Sequence, residues 1–217
     1  DLGVALDGDA DRVLMVDAGG RVVDGDQILA ILGLQRAKRG RPGAEQVVGT
    51  VMSNLGLERC LSAAGIELLR APVGDRYVVE QMRSSGAQLG GEQSGHIINL
   101  DHGTSGDGIV TALLVLSAMS RAGASLSDLA KVMQRLPQVT QSFMVAHKAP
   151  LETLDKTQLA ISEVSETLGG SGRVLVRYSG TEAKLRVMAE GEDEAQLANL
   201  VRRIGEVAVA ELAATAR

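Results

Sequence analysis

In Gln46–Gly91, QVVGTVMSNLGLERCLSAAGIELLRAPVGDRYVVEQMRSSGAQLGG, short β-branched or apolar runs alternate with segments of helical apolar spacing. Gln46–Val51 reads as a strand that ends at Met52-Ser53-Asn54, and Leu55–Ala64 as a helix stopped by Gly65. Glu67–Ala71 reads as the next strand, ending at Pro72-Val73-Gly74-Asp75. Arg76–Ser84 then reads as a helix, and Gln88–Leu89 as a short strand entering Gly90-Gly91. The β-α-β-α-β order predicts parallel strands with helices on the faces of the sheet. Ligands in such sheets bind beyond the carboxyl ends of the strands. The loops expected to meet a ligand are therefore Ser53–Asn54, Gly74–Arg76 and Gly91–His96.

Toward the N-terminus, Gln27–Leu34 has helical spacing, with Asp24 or Asp26 as its expected N-cap. Lys38–Ala44, with Gly, Pro and basic residues, reads as a loop. Ala18-Gly19-Gly20 between two apolar runs predicts a hairpin. Before it stands Leu6-Asp7-Gly8-Asp9-Ala10-Asp11-Arg12, flanked by the strand-like runs Gly3–Leu6 and Val13–Val16. Gly8 is expected to allow the turn. Three carboxylates two residues apart repel one another, and a hard cation relieves that repulsion. Magnesium suits such a loop because it takes few carboxylates and shares its shell with water and phosphate. Arg12 is placed to hold a phosphate oxygen. An EF-hand is excluded, since its Gly and terminal acid would fall on Arg12 and Ala18. The alternative is a solvated acidic turn.

Toward the C-terminus, Ile97–Leu100 reads as a strand, Ile109–Arg121 as a buried helix and Ser125–Gln134 as a further helix closed by Pro137. The remainder reads as strand Val139–Ala146, helix Pro150–Leu168, strands Arg173–Tyr178 and Leu185–Ala189, and helix Asp193–Ala213. The expected fold class is α/β: a mixed α/β sheet domain with helices on both faces, followed by a smaller α+β domain.

Bulk properties narrow the function. The 217 residues carry a net charge of −5 and only 1% aromatics, which argues against nucleic-acid binding. No apolar stretch is long enough to span a bilayer. The single cysteine, Cys60, cannot form an internal disulfide; it reads as a small core residue, as expected in a reducing cytoplasm. The chain starts without Met and enters a strand at once, so it is expected to be part of a longer protein.

Two further clusters offer chemistry. In Gly91-Glu92-Gln93-Ser94-Gly95-His96, glycines allow close backbone approach, and Glu92 and Ser94 suit sugar hydroxyls. His96 could shuttle a proton or hold a phosphate, or be structural. In Arg177–Lys184, the cations Arg177 and Lys184, with Arg186 beyond them, surround a turn bearing Ser179, Gly180 and Thr181. This is either a phosphate cradle without a P-loop or a polar hairpin turn. A metal loop, a hydroxyl-reading loop and a phosphate cradle together point to a phosphorylated sugar.

These segments, with Val73-Gly74-Asp75-Arg76-Tyr77-Val78 and Arg177-Tyr178-Ser179-Gly180-Thr181-Glu182, resemble the α-D-phosphohexomutases in content and order. Gln93 and the Gly-Asp-Arg-Tyr run are more similar to the glucosamine branch than to the mannose/glucose branch. The resemblance implies the end of domain two over residues 1–24, domain three over 25–137 and domain four over 138–217. It implies Mg²⁺ on Asp7, Asp9 and Asp11 beside a phosphoserine. Arg12 and His96 would lie near the reacting centre, Glu92 and Ser94 on sugar hydroxyls, and Arg177, Ser179, Gly180 and Thr181 on the phosphate that is not transferred. The implied reaction moves a phosphoryl group between C6 and C1 of glucosamine phosphate, in cytoplasmic synthesis of cell-wall precursors, with a homodimer for the full-length enzyme. The family's Thr-Ala-Ser-His-Asn-Pro-type serine loop does not occur in these residues, so this chain is expected not to turn over alone. The phosphomannomutase/phosphoglucomutase branch and a non-catalytic sugar-phosphate-binding module are the other readings.

Overall fold

In the computed structural model, which describes residues 1–215, Gly3–Leu6 (β1) and Val13–Val16 (β2) form an antiparallel hairpin with Leu6 opposite Val13. Val22–Val23 (β3) adds to β2 through the turn at Asp17. The Asp17 carboxylate accepts the Gly19 and Arg21 N–H groups at 2.8 and 3.0 Å, an Asx-type turn of the kind short acidic side chains favour. Helix α1, Gly25–Lys38, follows at once. Of its two possible caps Asp24 is the one used: its carboxylate accepts the Gln27 N–H at 3.1 Å, while Asp26 is buried in the first turn. The helix runs further at both ends than the apolar spacing predicts: it starts directly after the Asp24 cap, and its last turn is polar and carries Arg36 and Lys38, so Lys38 is helical rather than the start of the loop.

Gln46–Thr50 (β4), Leu55–Ala63 (α2), Glu67–Ala71 (β5), Asp75–Ser85 (α3) and Leu89–Gly91 (β6) realise the alternation seen in the sequence. β4 pairs in parallel with β5 and β6, and Ile97–Asn99 (β7) closes the sheet antiparallel to β6. The order is β5-β4-β6-β7. Successive strand residues face opposite ways, and Val47 and Val48 show the consequence. Val47 belongs to a core with Leu29, Leu57, Leu61 and Leu89, residues of α1, α2 and β6. Val48 belongs to a second core with Val78 and Met82 of α3 and Ile98 of β7. Helices thus cover both faces. Cys60 packs at the edge of the first core, and burial pushes its thiol pKa up.

Gly108–Ala122 (α4) is capped by Asp107, whose carboxylate accepts the Val110 N–H at 2.8 Å. The expectation of a buried helix needs correcting. Thr111, Ala112, Val115 and Ala118 are buried, but Ile109 and Leu113 are 54% and 59% exposed. The sequence is apolar around the whole helix, and only the stripe spaced at three and four residues can meet the core. The next helix, Leu126–Ala130 (α5), is shorter than predicted.

Asp1–Arg135 and Leu136–Arg217 form two compact units. In the second, Gln138–Met144 (β8), Lys184–Glu190 (β10) and Arg173–Tyr178 (β9) make an antiparallel sheet in the order β8-β10-β9. Asp155–Leu168 (α6) and Glu194–Thr215 (α7) contribute Val164, Leu197, Val201 and Ile204 to a core with Leu185 and Val187 of β10. Leu151–Thr153, predicted as the start of α6, is a separate 3₁₀ turn after Pro150. Among the described residues no helix is long and apolar enough to cross a membrane.

Candidate functional site

The loop Asp7–Arg12 closes the β1–β2 hairpin. Asp7 organises it: its carbonyl accepts the Ala10 N–H and its Oδ1 accepts the Arg12 N–H, both at 3.2 Å. The left-handed residue of the turn is Ala10, with φ of 58°, rather than Gly8. Asp7, Asp9 and Asp11 each present an oxygen within 4.8 Å of the others. Asp11 Oδ1 is buried without a hydrogen-bond partner. Arg12 folds back over the loop, its Nε 3.8 Å from Asp7 Oδ2 and 3.7 Å from Asp11 Oδ1, with half of the side chain in solvent. Three convergent carboxylates, one holding an unsatisfied buried oxygen, form an all-oxygen donor set that fits a hard divalent cation such as Mg²⁺.

The loop Glu92–His96 is locked against this hairpin and the start of α1 by backbone contacts. Gly95 carbonyl accepts the Val13 N–H at 3.1 Å, and Gln93 carbonyl accepts the Gly25 N–H at 3.0 Å. Both contacts depend on missing side chains. A Cβ on Gly95, which has φ of 96°, would lie 2.1 Å from the Val13 carbonyl oxygen, and one on Gly25 would lie 2.0 Å from that of Glu92. His96 is only 5% exposed, and its Nδ1 lies 3.1 Å from Asp11 Oδ2. Its Nε2 is buried and unpartnered. Glu92 reaches the other way, where its Oε1 accepts the N–H of Gly74, the residue before α3, at 3.0 Å. Ser94 is exposed and lines a groove of about 280 Å³ with Leu6, Asp7 and Arg12. The first unit therefore gathers Asp7, Asp9, Asp11, Arg12, Glu92, Ser94 and His96 from segments far apart in the chain. His96 faces Asp11 and does not line the groove. The Gly74–Glu92 bond joins the Val73–Val78 and Gly91–His96 segments, but no sequence signal announced the contact itself.

In the second unit, Arg177 and Arg186 stand opposite each other on β9 and β10. Leu185 and Val187 point into the core, so the two arginines share the helix-free face. Burial, and then the like charge of Arg186, push the Arg177 pKa below its usual value. Lys184 is neutralised by Glu182 at 2.6 Å, and Arg186 lies 4.0 Å from the same carboxylate. The unbalanced charge is thus on Arg177 and Arg186. Gly180 and Thr181 are exposed at the tip, whereas Ser179 is buried, its N–H donating to the Lys184 carbonyl at 2.8 Å. Sequence reasoning missed Lys148, whose Nζ donates to the Ser179 carbonyl at 2.6 Å and braces the turn from a distant loop.

The model for the α/β/α domain III of phosphoglucomutase/phosphomannomutase matches residues 24–136, and that for the C-terminal domain matches residues 124–207. A phosphoglucosamine mutase of Sorangium cellulosum is 52% identical over 213 residues, which is 98% of this chain and 44% of that protein. One from Syntrophotalea carbinolica is 51% identical over 206 residues, 95% of this chain and 45% of that protein. The chain spans about half the length of the curated relatives it matches. Among solved structures, an N-acetylphosphoglucosamine mutase of Aspergillus fumigatus superposes with a TM-score of 0.83 at 22% identity, covering 98% of this chain and 48% of that one. The Aspergillus fumigatus enzyme in complex with GlcNAc-6P and magnesium gives 0.79 at 23% identity, with 96% and 52% covered. At these identities the likeness concerns the fold.

Proposed function

Because the chain belongs to the phosphoglucomutase/phosphomannomutase family, we propose that it supplies the C-terminal portion of a phosphoglucosamine mutase, the enzyme that interconverts glucosamine 6-phosphate and glucosamine 1-phosphate. The observation that carries this reading is the joint between two loops: three convergent carboxylates locked, through Asp11–His96 and Val13–Gly95, to a loop presenting Glu92 and Ser94. The identity of about half with phosphoglucosamine mutases supports the amino sugar over mannose or glucose. Residues 1–24 would then close domain two, 25–137 form domain three and 138–217 form domain four.

A mutase that passes through a phosphoserine and a bisphosphorylated sugar needs one reactive and one passive phosphate subsite. Asp7, Asp9 and Asp11 would hold Mg²⁺, which when bound offsets negative charge on the transferring phosphoryl group. Arg12, now paired with Asp7 and Asp11, would turn its guanidinium to phosphate oxygens. Ser94 and the second oxygen of Glu92 would orient sugar hydroxyls, the first oxygen being held by Gly74. Arg177 and the backbone at Ser179, Gly180 and Thr181 would grip the passive phosphate. His96 would keep Asp11 aimed rather than meet the sugar. The cellular setting proposed is cytoplasmic amino-sugar nucleotide synthesis for the cell wall, with the whole enzyme a homodimer.

Calorimetric titration of the purified chain, with Mg²⁺ present, tests this. Glucosamine 6-phosphate is expected to bind more tightly than mannose 6-phosphate or inorganic phosphate. Glu92→Ala should abolish the preference, and Arg177→Ala should weaken all three ligands. Equal binding of the three by the parent chain would overturn the amino-sugar assignment. Mutase turnover by the uncontaminated chain would overturn the dependence on a serine loop outside it.

A further inference from the structure

The unit Asp1–Arg135 carries a second cleft, formed where the end of α1, the turn after β7 and one side of α4 meet. An inner cavity of about 70 Å³ adjoins a groove of about 460 Å³, and Arg39, Arg41, His102 and Arg121 line both. None of these residues belongs to the acid loop or the Glu92–His96 loop. Arg36 and Asp101 line the inner cavity. Arg36 is 7% exposed and its guanidinium is clamped: Nη1 donates to Asp101 Oδ2 at 2.6 Å and Nη2 to the Pro42 carbonyl at 3.0 Å. Arg41 donates to the same Asp101 oxygen at 3.0 Å. Burial alone would raise the Asp101 pKa, but Arg36 and Arg41 outweigh it and hold the carboxyl below its usual range.

Four guanidiniums and one carboxylate thus line this cleft, and only Arg36 and Arg41 contact the carboxylate, on a chain whose net charge is −5. Basic residues at helix C-termini offset the helix dipole, which accounts for Arg36 and Arg121 at the ends of α1 and α4. It does not account for Arg41, which lies beyond α1, or for the buried Nε–H of Arg36, which has no hydrogen-bond partner. A buried donor left unpaired on a rigidly held guanidinium is a group prepared for an acceptor. The outer groove adds an apolar wall of Val110, Leu113 and Leu114 beside the cations, with Leu113 mostly in solvent.

We propose that this cleft binds a phosphorylated small molecule, a diphosphate or phosphate ester whose anionic end meets Arg36, Arg39 and Arg121 and whose uncharged part rests on Leu113. Two adjoining compartments, one cationic and one half apolar, suit a ligand with both parts. The site lies apart from the proposed catalytic loops and stands whether or not the sugar assignment does.

Arginine side-chain NMR on the 217-residue chain tests it, with pyrophosphate and phenyl phosphate as probes. Saturable shifts of the Arg36 Nε–H signal are expected with both. Arg39→Ala combined with Arg121→Ala, two exposed positions, should weaken both probes by about tenfold or more, as expected for lost charge-assisted hydrogen bonds, while signals elsewhere stay in place. Arg177→Ala should leave the Arg36 response intact, which separates this cleft from the phosphate cradle of the second unit. Leu113→Ser should weaken phenyl phosphate and spare pyrophosphate. An Arg36 signal unmoved by millimolar pyrophosphate, or a double variant that binds like the parent, would overturn the proposal.

Discussion

The His96 ring touches Asp11 on one side and Gly106 on the other, where an added Cβ would fall 2.4 Å from the ring. Nδ1 meets one Asp11 oxygen, while the other makes no hydrogen bond and has only the Arg12 guanidinium, 3.7 Å away, to give up to a cation. Partners of this kind fix a ligand's direction, and their loss typically costs metal affinity ten- to a hundred-fold. His96→Ala is therefore expected to weaken Mg²⁺ binding by about tenfold with a small change in melting temperature. His96→Asn, whose amide can donate at nearly the same place, should recover most of it. Calorimetric Mg²⁺ titration of the three proteins reads this directly; equal affinities would show that His96 only fills space. The sequence made His96 conspicuous through its glycine-rich loop. It could not distinguish a histidine facing a substrate from one facing an aspartate, because the aspartate comes from a hairpin far away in the chain.

Helix α7 shows how packing outweighs local propensity. Gly205 stands in its interior, where Ala would be favoured by about 1 kcal/mol. The chain's one phenylalanine, Phe143 of β8, lies over it, and a Cβ there would be 2.1 Å from the ring. Overpacking of this kind costs about 1–3 kcal/mol, so the clash should win. Gly205→Ala is expected to lower stability by about 1 kcal/mol in urea unfolding. Adding Phe143→Leu should return part of the loss, since the two positions couple through contact. A Gly205→Ala protein more stable than the parent would show that the ring moves aside. Helix α4 makes the complementary point. Its composition announces a helix, but the exposed Leu113 and Ile109 are as apolar as the buried Val115, so composition could not tell which face meets the core.

Among the described residues there are three apolar cores: two flank the sheet of the first unit, and one lies between sheet and helices in the second. Leu197 of α7 is fully buried in the core of the second unit. Leu197→Ala should cost about 2–5 kcal/mol there. Hydrogen exchange should then show amides of Leu136–Arg217 losing protection while those of β4 and α3 keep theirs. Loss spread evenly over both units would show one cooperative unfolding unit instead. By itself the sequence determined the order of strands and helices, the acid loop between two strands and the charged turn at Arg177–Lys184. Those depend on apolar period, turn residues and caps, which act over a few neighbouring residues. Tertiary structure alone decided that β7 runs antiparallel beside β6, that Glu92 answers Gly74, that His96 backs Asp11 and that Arg36 ends in a cleft with an unpaired N–H. Each of these joins segments distant in the chain, and the period of a segment states which residues share a face without stating what that face will meet.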